Sequence, residues 1–183
     1  MSGSVGDNTA RASGVIASAG GGAILQVKSV AVTSTVSAGS SATPVALTAF
    51  DIAFTPTADN SVLCLQLSMQ VGSDGTSVGG YFYDSTGAAK IEPYALSTGA
   101  RQDLTFAGKL SASTRSDNIC YTAWFTPGDA TTRTIQVFGA AHTTNTLYIN
   151  RSYGDNNTNT IDYARLASTF TITEYDGSIV TVA

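Results

Sequence analysis

Ser61–Val71 reads Ser-Val-Leu-Cys-Leu-Gln-Leu-Ser-Met-Gln-Val, and its period decides the fold class. Leu63, Leu65, Leu67, Met69 and Val71 recur at every second position, with Gln66, Ser68 and Gln70 between them. Alternation of that kind is a half-buried strand, because successive side chains of extended backbone point to opposite sides. Val62 and Cys64 make the second face less polar at its start, so part of that face is expected to be covered too. The same scheme returns in Leu104, Phe106 and Leu110, and in Ile119, Tyr121, Ala123 and Phe125. It recurs in Ile135 with Val137, Leu147 with Ile149, and Phe170 with Ile172. Weaker candidates lie at Ile24–Val36, Leu47–Phe54, Gly80–Tyr83, Lys90–Leu96 and Ser178–Val182.

Turn-forming triplets separate these runs: Ala58-Asp59-Asn60, Ser73-Asp74-Gly75, Ser85-Thr86-Gly87, Ser116-Asp117-Asn118 and Pro127-Gly128-Asp129. Eight to ten short strands with such punctuation predict an all-β chain, an antiparallel jelly-roll-like β-sandwich. No segment of helical period alternates with the strands, which excludes parallel α/β architectures. Composition agrees. The 183 residues include 26 Thr and 21 Ser against two Glu and three Lys, so exposed helix formers are nearly missing.

Residues 1–22 differ from all that follows. They are rich in Gly, Ala and Ser and carry too little apolar bulk to offset their own ordering entropy. They are expected to form an extended N-terminal arm that orders on another protein, with residues 23–183 as the sandwich domain. Val5, Val15 and Ile16 are the apolar anchors of such an arm, and Asp7 and Arg11 the polar ones. Gly20-Gly21-Gly22 reads as a hinge, since no helix pattern follows it to make a phosphate loop.

Charge narrows the functions. Charged residues are 12% of the chain, the net charge is −4, and the nine Lys and Arg residues are spaced singly. Nothing there neutralises a run of phosphates, so nucleic acid is not an expected partner. No secretory signal is legible, and no apolar run is long enough for a membrane-spanning helix. Cys64 and Cys120 fall in different strands and read as two buried thiols, with a disulfide as the alternative. Two cysteines and the lone His142 do not make a zinc site. No cofactor is expected.

Gly75-Thr76-Ser77-Val78-Gly79 matches the nucleophile elbow of α/β-hydrolases. That elbow needs a strand-to-helix turn, and here strand candidates flank the motif on both sides. A Gly/Ser hairpin loop is the expected reading. A base for Ser77 could come only from His142, which nothing in the sequence places nearby. Asp155, Asn157 and Asn159 start like a calcium loop. However, Thr160 stands where glycine is needed, and Leu166 where the bidentate glutamate belongs. Catalysis and metal binding are therefore not expected.

Two binding surfaces can be read. Tyr81, Tyr83, Tyr153 and Tyr163 with Asp155, Asn156 and Asn157 combine flat apolar rings with short polar groups, as a host-glycan surface does. Trp124 sits opposite the Ile119–Phe125 face and is read as part of a subunit interface.

Thr146–Tyr153 (Thr-Leu-Tyr-Ile-Asn-Arg-Ser-Tyr), the Asp/Asn-rich loop after it and Ala167–Glu174 (Ala-Ser-Thr-Phe-Thr-Ile-Thr-Glu) resemble a β-sandwich module of tailed-bacteriophage virions. Ile24–Val30 and the Asn8–Gly14 style of arm fit the same pattern. The module recurs at the distal ends of tail fibres and tailspikes and in capsid decoration (cement) proteins. The resemblance implies a homotrimer on the virion surface, assembled in the host cytoplasm, without catalytic residues. A short arm followed by one knob suits a protein clipped onto the major capsid protein at the capsid exterior. A short tail fibre or receptor-binding protein comes second, and a free carbohydrate-binding module third.

Overall fold

The computed structural model describes residues 23–40, 43–91, 102–110, 115–142, 144–155 and 165–180. The arm residues Val5, Asp7, Arg11, Val15 and Ile16, and the loop residues Asn156, Asn157 and Tyr163, lie outside them. Twelve strands are formed among the described residues, all paired antiparallel. They are β1 (Ile24–Val32), β2 (Val36–Ser40), β3 (Val45–Ala46), β4 (Ile52–Phe54), β5 (Val62–Ser73) and β6 (Ser77–Asp84). The rest are β7 (Ala89–Lys90), β8 (Phe106–Lys109), β9 (Asp117–Phe125), β10 (Arg133–Ala141), β11 (Thr146–Ile149) and β12 (Ser168–Tyr175). A 3-10 turn, Thr48–Phe50, seats the buried ring of Phe50 just before β4.

The strands make two sheets. In the first, β5 is central: β9 pairs along one side, and β12 and β11 share the other, each carrying one outer strand, β1 and β2. In the second, β10 and β6 pair along their length, flanked by β3 and β4 beyond β10 and by β7 and β8 beyond β6. The chain changes sheet between β2 and β3, β4 and β5, β5 and β6, β8 and β9, β9 and β10, and β10 and β11. This is the jelly-roll-like sandwich expected from the alternation. More strands form than expected because several are only two to four residues long.

The inner faces meet in one apolar core. Leu63, Leu65, Leu67, Met69 and Val71 all face it, as their spacing predicted. Phe82 of β6 stacks across the core on Phe170 of β12, with ring centroids 5.5 Å apart. Gly80 is required at this point: a Cβ there would lie 1.9 Å from the Phe138 carbonyl oxygen and force β6 away from β10. Val62 and Cys64 lie on the outer face yet are buried, being flanked in the register by Tyr175 and Trp124.

Buried polar groups fasten the connections. Asn150 is fully buried; its Nδ2 donates to the carbonyls of Val32 (2.7 Å) and Ser34 (2.9 Å), and its Oδ1 accepts from Ser168 Oγ (2.6 Å). The Gly75 motif is a crossing between sheets, not the expected hairpin, since β5 and β6 belong to different sheets. Asp74 Oδ1 holds it by accepting from the Thr146 backbone N–H at 2.6 Å. Leu104 also departs from expectation. It precedes β8 and packs over the outer side of Gly79, whereas Phe106 and Leu110 enter the core. Lys90–Leu96 contributes only the two-residue β7 among the described residues, and a turn follows β12 at Asp176.

Candidate functional site

Strand register puts an uncharged surface on the outer side of the first sheet. One row across it is Ala31–Thr169–Ser68–Cys120, the next is Ser29–Thr171–Gln66–Thr122, and the third is Val27–Thr173–Cys64–Trp124. None of the twelve side chains carries an acidic or basic group. The first two rows are hydroxyl- and amide-rich and enclose a shallow depression of about 440 Å³. The third is apolar at both ends, with Val27 56% and Trp124 38% exposed, and Ile24 beyond it 54% exposed. The Trp124 ring leans on Tyr175 at 5.5 Å, which fixes its position without covering it. Exposed apolar residues are thus grouped at one end of this uncharged part of the face. Among the described residues β9 pairs only with β5.

Cys120 lies on this face and is exposed, which corrects the expectation of two buried thiols. Among the described residues β9 has a paired strand on one side only, its outward Asn118, Cys120, Thr122 and Trp124 are exposed, and its register places Cys120 beside Ser68, away from Cys64. Both cysteines are free thiols. Burial pushes the Cys64 thiol above its ordinary pKa, so it is the less reactive form at neutral pH.

The glycan set read from the sequence is split between the sheets. Tyr81 and Tyr83 are on β6, and Tyr81 is buried, which corrects its reading as an exposed ring. It stacks on Phe138 at 5.0 Å, and the Lys90 ammonium sits 4.6 Å above it. Burial, and then the neighbouring Tyr83, raises its hydroxyl pKa. Tyr153 follows β11 in the other sheet and is 47% exposed, leaning on Tyr148 at 5.9 Å. The Arg151 guanidinium lies 4.0 Å over Tyr148. Asp155 is held by Arg165 (3.0 Å) and Arg151 (3.6 Å), so its carboxylate is an ion-pair partner within the loop. Tyr153 and Asp155 are thus brought together, and Tyr81 and Tyr83 are not part of their surface.

A cleft that sequence reasoning missed opens on the outer side of the second sheet, with a volume of about 490 Å³. Ser77 pairs with Lys109 across β6 and β8, and the His142 backbone N–H donates to the Ser77 carbonyl at 2.9 Å. Ser77 and His142, which no spacing connected, are therefore neighbours. Lys109 is the charged side chain among the described residues that line the cleft. Only the register of β6 against β10 could have revealed the pair, and the sequence does not print a register.

No family model and no curated protein matches the chain. Among solved structures, that of infectious bursal disease virus (Gx strain) aligns with a TM-score of 0.39 and 10% identity, over 82% of this chain and 40% of that one. A mutant VP2 protein of the same virus, from derived T=1 particles, aligns with a TM-score of 0.41 and 8% identity, over 82% of this chain and 39% of that one. The chain thus spans about two-fifths of those proteins. A likeness this weak carries no argument about function.

Proposed function

We propose that this chain is a non-enzymatic structural protein of a virion, a homotrimeric decoration (cement) protein that binds the major capsid protein at the capsid exterior. The observation that carries the reading is the charge-free β1–β12–β5–β9 part of the first sheet's outer face, with Ile24, Val27 and Trp124 exposed at its apolar end. That apolar end is costly in water and is stabilised when a second copy covers it. The low charge, the hydroxyl-rich surface and the resemblance of Thr146–Glu174 to phage virion modules support the same assignment. Residues 1–22 supply the docking arm in this reading.

The contact is tested by the mass of the purified chain in solution. Wild type is expected at three times the 18.7 kDa of one chain. Val27→Asp and Trp124→Asp each place a charge in the contact and are expected to give a folded monomer, because both positions are exposed within one chain. A wild-type chain that stays monomeric at every concentration would overturn the trimer.

A short tail fibre or receptor-binding protein is the second reading, favoured by the exposed Tyr153 beside Arg151 and Asp155. It shares the trimer and differs in copy number.

A further inference from the structure

The cleft on the second sheet is built as a two-row grid. Its polar row is Lys109–Ser77–His142, set across β8, β6 and the end of β10. The row beneath it is Ala107–Gly79–Ala140, paired position by position across the same strands. Residues two apart on a strand share a face, so both rows look outward into the cleft. The floor is therefore apolar, made of the two alanine methyl groups with the Leu104 side chain over the glycine between them. Leu104 Cδ1 lies 2.7 Å from where a Cβ on Gly79 would stand, and Gln102 adds an amide to the lining.

We propose that this cleft binds a sugar acid, a monosaccharide-sized ring bearing one carboxylate. Each part of the grid answers to part of that ligand. Lys109 is the only charged side chain among the described residues lining the cleft, in a chain of net charge −4. The attraction is therefore local to this end of the sheet and selects an anion. Ser77 and Gln102 offer a hydroxyl and an amide, which match ring hydroxyls. The Ala107 and Ala140 methyl groups and the Leu104 side chain pack against the C–H face of a sugar ring. The open shape admits the end of a longer glycan, and about 490 Å³ suits one or two sugar units. This site is distinct from the Tyr153 loop, and its occupancy does not depend on the virion reading.

The test is amide chemical-shift perturbation of the full-length chain. The probes are glucuronate and N-acetylneuraminate, with glucose and N-acetylglucosamine as uncharged counterparts. An acid is expected to shift the amides of Ser77, Lys109 and His142 at millimolar concentration, and the neutral sugars to bind about tenfold more weakly or not at all. Lys109→Gln is expected to remove that preference. Ala107→Phe, at an exposed position of a short outer strand, is expected to fill the cleft and abolish binding while the remaining amide spectrum stays native. Tyr153→Ala is expected to leave the shifts unchanged. The proposal is overturned if neither acid perturbs these amides, if acid and neutral sugars bind alike, or if Lys109→Gln binds as well as wild type.

Discussion

Glu174→Gln is expected to lower the melting temperature by roughly 5–15 °C, from a stability loss of about 2–4 kcal/mol. Glu174 is fully buried at the end of β12, facing inward. Its Oε1 accepts from the Thr57 backbone N–H (2.6 Å), Thr57 Oγ1 (2.8 Å) and Ser61 Oγ, and its Oε2 from Gln26 Nε2 (2.6 Å). One carboxylate thus fastens β1 and the β4–β5 crossing to β12. An amide keeps the shape but puts an N–H₂ where one oxygen received hydrogen bonds, so at least one buried donor loses its partner. Burial by itself pushes the carboxyl pKa up, but the hydrogen bonds from Ser61, Thr57 and Gln26 outweigh it and hold the pKa below the usual value.

The sign of the pH effect follows. A carboxyl depressed in the folded state contributes stability that is fully present above the unfolded pKa of about 4.3 and is lost as pH falls through the folded value. Wild type should therefore melt progressively lower as pH drops below about 4. Asp129 and Asp176 are also held below their usual pKa and add a slope of the same sign. The wild-type-minus-Glu174→Gln difference isolates the Glu174 share, and it should shrink as pH falls. Thermal melts of both proteins between neutral pH and pH 3 check this; a constant difference would contradict it.

Asp84→Ala is expected to cost about 3–5 kcal/mol by removing the buried partner of the Arg133 guanidinium and leaving it only the surface carboxylate of Asp129. Arg133 and Asp84 are both buried at the paired ends of β10 and β6, with Arg133 Nη1 on Asp84 Oδ2 at 2.5 Å. Arg133 also reaches Asp129 at 2.6 Å and lies 5.6 Å from the Phe125 ring centroid. Asp84 Oδ1 accepts from the Thr86 backbone N–H at 3.0 Å, so its loss also loosens the turn after β6. The double variant Asp84→Ala with Arg133→Met removes both charges, and should recover part of the loss because the methionine fills the space without needing a partner. Urea titration of the three variants measures the coupling. If the double variant lost the sum of the two single losses, the pair would not act as a unit.

The alternation along β5 was legible because that strand buries one face and leaves the other against water or a neighbour. The sandwich followed from repeating that reading. What stayed hidden depends on which strand lies beside which. Tyr81 points outward, as its position in β6 requires, yet Phe138 from β10, distant in sequence, and Lys90 from the neighbouring β7 bury it. Cys120 is exposed on β9, which among the described residues pairs only with β5, a fact of sheet order that no local pattern carries. Ser77 and His142 meet for the same reason: β6 and β10 pair in one particular register. Glu174 was one of only two glutamates in a hydroxyl-rich chain. That rarity was the available signal that its charge is answered by hydroxyls inside the fold.

The most direct test of the structural-protein account counts copies of the chain per purified virion, by quantitative mass spectrometry against the major capsid protein. The account predicts hundreds of copies in wild-type particles, and loss of those copies when residues 1–22 are deleted from a chain that still folds and trimerises. A dozen or two copies would move the chain to the tail as a fibre or receptor binder. Its absence from virions would contradict the account.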